Sequence, residues 1–355
     1  MEQYREMIPF LLHWYQFHAR VLPWREDPSA YHVWVSEIML QQTRVEAVRG
    51  YYMRFLDELP DVRALAECPE DRLMKLWEGL GYYSRVRNLQ KAARIVCEQY
   101  DGELPDSAEE LRKLPGIGDY TAGAIASIAF RKPEPSVDGN LLRVLSRLTG
   151  SRDNILLPEV KRQMAAELRE VMPGEQSGAL NQALMDLGAT VCVPNGEPHC
   201  EECPLMHMCT AFHDGTVAEI PVRSAKKERR SEEKLVFIVV CGEKLLLHRR
   251  DRKGLLAGLW EYPNTEGSCS AGKAAEALRK ILPEVFPKRL SMKKLEPAKH
   301  IFSHVEWHMD CRFVNVPETA KTELPEGYVW ATKKELETEY SLPSAFRKWK
   351  VDELY

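Results

Sequence analysis

The stretch LPGIGDYTAGAIA, residues 114–126, constrains the fold of this chain more than any other segment. A proline and two glycines stand immediately before a run of small and apolar residues, which predicts a tight turn between two helices. Gly116 and Gly118 can adopt positive φ and let another backbone approach closely. The turn leads into a helix N-terminus, whose N–H groups and dipole favour an anion. The segment therefore predicts a helical hairpin, which either binds a phosphate or only connects two helices.

The hydrophobic period changes once along the 355 residues. Up to residue 212, apolar residues recur every three or four positions, which predicts helices. Residues 213–232 are poor in apolar side chains and carry a basic run, which predicts a linker. From residue 233 the period becomes two in KLVFIVVCGEKLLLHRR, followed by a helix in SAGKAAEALRKIL and one further strand in HIFSHVEWHMDCRFVNV. We expect a multidomain protein with an all-α domain, residues 1–212, and an α+β domain, residues 233–355.

The composition is that of a globular protein, with 44% hydrophobic and 29% charged residues. We find no run of about 18 uncharged apolar residues, so we expect no membrane span. The start of the chain carries no basic region followed by a cleavage site, which predicts a cytoplasmic protein. Residues 1–212 hold 23 Lys and Arg against 31 Asp and Glu, a balance of −8. Any contacts of this part with nucleic-acid phosphates are therefore expected to be local.

The sequence around two carboxyl groups favours the protonated form of one and the ionised form of the other. Glu37 has Trp34 and Leu40 one helical turn away, so burial should raise its pKa and favour the protonated form. Asp138 precedes GNLLRVLSRL, and at this N-cap the helix dipole and N–H donors should keep it ionised. Cleavage of a glycosidic bond uses such a pair. The alternatives are a Glu37 that faces solvent and an Asp138 that only caps a helix.

Four of the nine cysteines lie within 18 residues, with the spacing C-x7-C-x2-C-x5-C. Four thiolates in a short loop suit zinc or an iron–sulfur cluster. The spacing taken alone favours zinc. The four residues are Cys192, Cys200, Cys203 and Cys209.

These motifs together carry a family resemblance over nearly the whole chain. LPGIGDYTAGAIASIAF with PSVDGNLLRVLSRL, VSEIMLQQTRV, EGLGYYSRVRNL and the cysteines resembles the helix-hairpin-helix and Gly-Pro-Asp superfamily of DNA glycosylases, and within it adenine DNA glycosylases of the MutY type. The resemblance implies a helical barrel over about residues 29–134 and a cluster subdomain formed by residues 1–28 and 135–212.

GLLAGLWEYPN, residues 254–264, resembles the stretch that leads into a Nudix box, and with it the C-terminal domain resembles a Nudix fold. The Nudix box needs an R-E-x-x-E-E run of carboxylates to hold Mg²⁺, and TEGSCSAGKAAEALRKIL lacks it. We therefore expect a domain that recognises a lesion without hydrolysing nucleotides.

The resemblance also implies catalytic roles. Glu37 would be the general acid toward adenine N7, and Asp138 would stabilise or attack the sugar cation, with Asn140 in support. Tyr120 stands where related endonuclease III-like enzymes have a lysine that forms a Schiff base. A phenol cannot form an imine, so the expected product is an abasic site on an unbroken strand.

Substrate recognition is implied in the same way. The adenine would be flipped out of the duplex into a pocket bordered by Arg25 and Gln182, while Gly116 and Gly118 would contact the DNA backbone. The residues that would recognise the opposing 8-oxoguanine are Gln42, Thr43, Leu80, Tyr82, Phe302, Ser303 and His304.

The resemblance reverses the preference for zinc and implies one 4Fe-4S cluster, although the first cysteine gap is one residue longer than the usual six. It further implies a monomeric enzyme of the bacterial type that is associated with the nucleoid. Its substrate would be double-stranded DNA with adenine opposite 8-oxoguanine, and also with adenine opposite guanine. The alternatives are an endonuclease III-like glycosylase and lyase on oxidised pyrimidines, a non-catalytic lesion binder and, least favoured, a nucleotide hydrolase.

Overall fold

The structure is a computed structural model that describes residues 2–224, 228–267, 271–281, 290–317 and 324–349. The chain packs as two compact units. The first consists of Met1–Cys68 and Ser84–Ala225, and the second of Pro69–Tyr83 and Lys226–Tyr355. Residues 69–83 thus group with the C-terminal unit, although the predicted boundaries place them in the helical domain. The predicted division of the helical part into a barrel and a cluster subdomain stays a prediction.

Helices form the first unit, as the apolar periodicity predicted. One helix of the N-terminal half, α5, belongs to the second unit. In chain order the helices before residue 214 are α1 Glu2–His18, α2 Ala30–Leu40, α3 Val45–Glu58, α4 Val62–Glu67, α5 Glu70–Leu76, α6 Ser84–Gln99, α7 Ala108–Leu111, α8 Asp119–Ile128, α9 Gly139–Thr149, α10 Pro158–Arg169, α11 Ser177–Thr190 and α12 Thr210–His213.

The predicted hairpin lies between α7 and α8. Gly116 has φ +82°, and a Cβ added there would lie 2.8 Å from the Cβ of Asn88, so this turn requires glycine. Gly118 is the N-cap of α8 with φ −95°. The expectation of a positive φ at Gly118 was wrong, because an N-cap residue adopts extended backbone that every residue tolerates.

One apolar core joins α1 to α9, α10 and α11. Its buried members include Leu11 and Trp14 of α1, Leu145 of α9 and Leu184 of α11. Asp138 stands at the start of α9. Because α9 packs on this core, apolar contacts with helices that are distant in sequence determine the position of Asp138.

The second unit contains a mixed sheet. Its strand order is β3-β2-β1-β6-β5, with β4 also paired to β1 and β7 to β2, and β1 runs parallel to β6. Its elements are α5, β1 Arg230–Cys241, β2 Lys244–Arg249, β3 Trp260–Glu261, β4 Asn264–Glu266, α13 Ala271–Ile281, β5 Met292–Ile301, β6 Val305–Val316, β7 Tyr328–Thr332 and α14 Lys333–Thr338.

Strand β1 shows why the C-terminal sequence has a continuous apolar run. Leu235 and Phe237 face one core of the sheet, while Val236 and Ile238 face the other. A strand that is buried on both faces needs apolar residues at every position. It begins at Arg230, inside the segment that was predicted to be a linker.

The prediction of one strand in HIFSHVEWHMDCRFVNV was wrong. This segment contains the end of β5 and all of β6, which pair as an antiparallel hairpin. Residues 302–304 form its turn, where the N–H of Phe302 donates to the carbonyl of Val305 at 2.8 Å. The alternation of apolar residues continues on both sides of the turn, so the period alone could not locate the break.

Within the described part of the chain, no helix is long and apolar enough to cross a membrane.

Substitution of Gly123 by alanine should destabilise the first unit. A Cβ at this position of α8 would lie 2.2 Å from the carbonyl oxygen of Pro135, which is backbone and cannot rotate away. We expect a loss of about 3 kcal/mol in the free energy of unfolding, the upper range for overpacking. Urea unfolding followed by circular dichroism measures it. The matched control is Gly139→Ala, because a Cβ there meets no atom within 4 Å, and equal stability of the two variants would contradict the prediction.

Candidate active site

A cavity of about 260 Å³ in the first unit is lined by all six predicted catalytic and adenine-pocket residues. Its walls come from the segment after α1 and from helices α2, α8, α9 and α11. The predicted residues among its lining are Arg25, Glu37, Thr43, Tyr120, Asp138, Asn140 and Gln182.

Glu37 is a buried carboxyl group, as its apolar helical neighbours predicted. It is 6% exposed, and the hydroxyl of Tyr120 donates to its Oε2 at 2.5 Å. Burial raises the pKa of Glu37 to about 7, and the nearby negative charge of Asp138 acts in the same direction, against the hydrogen bond from Tyr120. The group therefore holds its proton up to about neutral pH, which suits a general acid.

Asp138 caps α9 and faces the same cavity. One carboxylate oxygen accepts from the backbone N–H of Leu141 at 2.8 Å, and the other accepts from the amide Nδ2 of Asn140 at 2.8 Å. Burial nevertheless raises the pKa of Asp138 above its ordinary value, while these two donors and the charge of Arg143 act to lower it. The sequence had predicted only the lowering contacts, because the depth of the site depends on tertiary packing.

Tyr120 stands at the start of α8 with its hydroxyl on Glu37. Burial raises the pKa of the phenol well above its ordinary value, and the charges of Glu37 and Asp138 raise it further. The side chain is therefore a neutral O–H donor. Ser136 holds the backbone of this residue by donating to its carbonyl at 3.0 Å.

The prediction missed Arg143, which holds Asn140 in place. Its Nη2 donates to Oδ1 of Asn140 at 2.9 Å and to the carbonyl of Gly188 at 2.6 Å, and its Nε donates to the carbonyl of Cys192 at 2.8 Å. Arg143 is 2% exposed. An arginine in an otherwise apolar stripe of α9 was the signal in the sequence.

The prediction also missed Asp186, whose carboxylate holds Arg25 in the wall of the cavity. Its buried carboxylate accepts two hydrogen bonds from Arg25, at 2.7 and 2.9 Å, and one from Nε of Arg20 at 2.6 Å. Gln182, one helical turn earlier, accepts from the hydroxyl of Tyr15 at 2.6 Å. The spacing of four residues between Gln182 and Asp186 could have placed this carboxylate on the cavity face of α11.

The four clustered cysteines line another cavity of the first unit, of about 30 Å³, together with mostly apolar side chains. Burial raises the pKa of Cys203 to about 12, and the neighbouring thiols act in the same direction. Among the described residues, no three His, Cys, Asp or Glu side chains are arranged to hold a single metal ion. Four thiols around one apolar cavity fit the donor set of an iron–sulfur cluster, which is larger than one ion.

Comparisons with known proteins identify the family. The model of the HhH-GPD superfamily base excision DNA repair proteins matches residues 35–173, and that of the NUDIX domain matches residues 235–350. The adenine DNA glycosylase of Mus musculus is 34% identical, over 92% of this chain and 73% of the relative. That of Buchnera aphidicola subsp. Schizaphis graminum is 31% identical, over 86% of each chain. The chain belongs to the adenine DNA glycosylase family. It is a DNA glycosylase, an enzyme of base-excision DNA repair.

Two solved structures have a similar fold over part of the chain. A thermostable thymine-DNA glycosylase is similar with a TM-score of 0.55 and 26% identity, over 60% of this chain and 98% of its own. A trapped covalent intermediate of endonuclease III with DNA has a TM-score of 0.50 and 24% identity, over 59% of this chain and 98% of its own. The second likeness concerns the fold alone.

The residues expected to contact 8-oxoguanine fall in both units of this adenine DNA glycosylase. Gln42 follows α2 in the first unit and is exposed with φ +59°, and Thr43 accepts at 3.3 Å from Nη2 of Arg85. Tyr82 belongs to the second unit and is 46% exposed, whereas Leu80 is only 6% exposed. The burial of Leu80 differs from the expectation of a side chain presented to the base stack.

The remaining residues that are expected to contact 8-oxoguanine lie at the tip of the β5–β6 hairpin. Ser303 and His304 are exposed there. Phe302 is half-buried, with its ring centroid 4.9 Å from that of Trp307. The tip therefore exposes two polar side chains beside the aromatic pair of Phe302 and Trp307.

Replacing Glu37 by glutamine should change how the stability of this adenine DNA glycosylase depends on pH. The folded-state pKa of about 7 exceeds the ordinary 4.5, so the native protein binds the extra proton and loses stability as the pH rises between these values. Glutamine keeps an acceptor for Tyr120 without this loss. Glu37→Gln should be more stable than wild type at pH 8, by up to about 3 kcal/mol at 1.36 kcal/mol per pKa unit.

Urea unfolding at several pH values measures the difference, which should shrink as the pH falls toward 4.5. The exposed Glu170, which follows the last residue of α10, provides the control variant Glu170→Gln, which should follow the wild type. A Glu37→Gln difference that does not vary with pH would contradict the assignment of a buried proton.

Proposed function

We propose that this adenine DNA glycosylase hydrolyses the bond between adenine and its sugar opposite 8-oxoguanine, and also opposite guanine, and leaves the strand unbroken. It acts as a monomer on double-stranded DNA. The arrangement of Glu37, Tyr120 and Asp138 in one cavity carries the proposal. It supplies a proton for the leaving base and negative charge for the sugar.

The chemistry requires the adenine to leave the duplex and enter the cavity. Glu37 donates its proton to N7 of the flipped base, and the electrons of the glycosidic bond pass to the base as the bond breaks. Asp138 lies against the oxocarbenium ion that develops on the sugar, and the Leu141 N–H and the Asn140 amide stabilise its anionic form. Water then adds to the sugar carbon C1′ and loses a proton, which balances the proton that Glu37 gave to the base, and an abasic site results.

The same cavity supports an enzyme without lyase activity. A lyase needs an amine that attacks C1′ and forms a Schiff base. Tyr120 supplies a phenol at the position of the lyase lysine, and the described side chains that line the cavity include no lysine. These features disfavour the endonuclease III-like alternative, and the paired carboxyl groups disfavour a protein that only binds lesions.

We further propose that Cys192, Cys200, Cys203 and Cys209 hold one 4Fe-4S cluster. When bound, the cluster would crosslink a loop that is rich in proline, glycine and asparagine and would give it a defined shape. This loop would contact the DNA backbone. The turn at Gly116, which precedes the N-terminus of α8, would form a second contact with it.

The decisive experiment uses end-labelled duplexes with adenine opposite 8-oxoguanine, guanine, cytosine or thymine, and with thymine glycol opposite adenine. Each reaction is divided and analysed with and without hot alkali. Cleavage opposite 8-oxoguanine that requires alkali supports the proposal. Cleavage without alkali, or a preference for thymine glycol, would assign the protein to the lyase branch, and binding without base release would leave only a lesion binder.

Glu37→Gln and Asp138→Asn should each slow single-turnover excision strongly. Loss of a positioned proton donor removes about 10²–10⁴-fold in rate, and loss of the anion removes the charge that faces the cation. Binding of the same duplex should be nearly unchanged in both variants. The exposed control Glu170→Gln should excise at the wild-type rate, and near-normal rates in either active-site variant would exclude the assigned roles.

Tyr120→Lys should introduce lyase chemistry. An amine at this position can attack C1′ and form an imine, which borohydride reduces to a stable protein–DNA adduct. We expect trapped adduct and some strand cleavage without alkali, at a lower excision rate because Glu37 loses its hydroxyl donor. Tyr120→Phe is the control and should give neither product. Absence of adduct with Tyr120→Lys would show that this side chain does not reach the sugar.

A further inference from the structure

Residues 79–82 form a turn of the second unit with an unusual backbone. Gly79, Gly81 and Tyr82 have φ of +100°, +71° and +48°. For a bulky non-glycine residue such as Tyr82 this conformation is costly and persists only where the surroundings hold it. Nε1 of Trp77 donates to the carbonyl of Gly81 at 3.1 Å. The turn carries the Tyr82 side chain, which is 46% exposed.

A buried carboxylate stands at the start of this turn. The side chain of Glu78 is 9% exposed and accepts three hydrogen bonds or ion pairs of 2.7 Å. They come from the backbone N–H of Leu342, from Nη2 of Arg347 and from Nζ of Lys75. Two of these donors belong to the C-terminal segment, so Glu78 ties the turn to the end of the chain.

Lys75 extends the same connection from α5. Its Nζ donates to the carbonyl of Leu336 at 2.6 Å and to that of Tyr340 at 3.4 Å. The side chain is 10% exposed, and a buried ion pair with several partners holds its geometry more firmly than an exposed one. The segment of residues 336–347 therefore contacts both members of the Lys75–Glu78 ion pair.

We propose that Glu78 is a positioning residue that sets the preference for 8-oxoguanine over guanine by holding the turn that carries Tyr82. The inference rests on the proposed function, in which Tyr82 lies beside the opposing lesion. The Glu78 partners Lys75, Leu342 and Arg347 belong to the second unit, whereas the catalytic cavity is lined by residues of the first. Loosening the turn should therefore impair recognition of the lesion and spare the chemical step.

The test compares single-turnover excision of adenine opposite 8-oxoguanine and opposite guanine in Glu78→Ala and Arg347→Met. We expect the preference for 8-oxoguanine to fall about tenfold, because releasing a strained residue shifts its conformational equilibrium by that order. The rate opposite guanine should be unchanged. Asp71→Asn is the control, because it breaks an exposed ion pair of the same segment, with Arg249 at 2.8 Å, and should keep the wild-type preference.

Amide hydrogen exchange of residues 79–83 in the DNA-free enzyme gives a second readout. Exchange should be faster in Glu78→Ala and intermediate in Glu78→Gln, whose amide oxygen can still accept from the Leu342 N–H. If Glu78→Ala fails to fold, Arg347→Met provides the test, because it retains the pair with Lys75.

Equal losses on both substrates, or an unchanged preference together with normal exchange, would overturn the inference. The wild-type reaction separates this failure from that of the proposed function. If the wild type itself shows no preference for 8-oxoguanine, the proposed function is wrong and the inference is overturned with it.

Discussion

The structure of the active site depends on one unfavourable interaction, the burial of the Glu37 carboxyl group close to Asp138. Two carboxylates in one cavity repel each other, and neither is well solvated, so one of them keeps a proton. The local contacts decide which one. Asp138 has the N–H of Leu141 and the amide of Asn140, while Glu37 receives one hydroxyl from Tyr120. The proton therefore belongs on Glu37, and the division into acid and anion follows.

The rest of the first unit holds this arrangement in place. Helix α9 carries Asp138 and is packed on the core that it shares with α1 and α11. Arg143 and Asp186 then attach the cavity walls by hydrogen bonds to side chains and backbone carbonyls. Each is a buried charge whose partners compensate for its desolvation, so each makes the wall rigid where the base would be read.

Much of this could be predicted from local sequence. The apolar neighbours of Glu37 at helical spacing predicted its burial, the position of Asp138 before an amphipathic helix predicted the cap, and the change of pattern at residue 233 predicted strands in the C-terminal part. These features depend on residues within a few positions of each other. The pKa direction of Asp138 and the grouping of residues 69–83 with the second unit were not predicted. They depend on which distant segments pack together, and no local pattern encodes that choice.

The central claim is that Glu37 carries a proton near neutral pH. Infrared difference spectroscopy of the wild type against Glu37→Gln, without DNA, observes this proton directly, because a protonated carboxylic acid has a C=O stretching band above the amide bands that the carboxylate lacks. The account predicts a band that is lost as the pH rises, with a midpoint near 7. A midpoint near the ordinary value of 4.5 would contradict it, because Glu37 would then be an anion at neutral pH and could not protonate adenine.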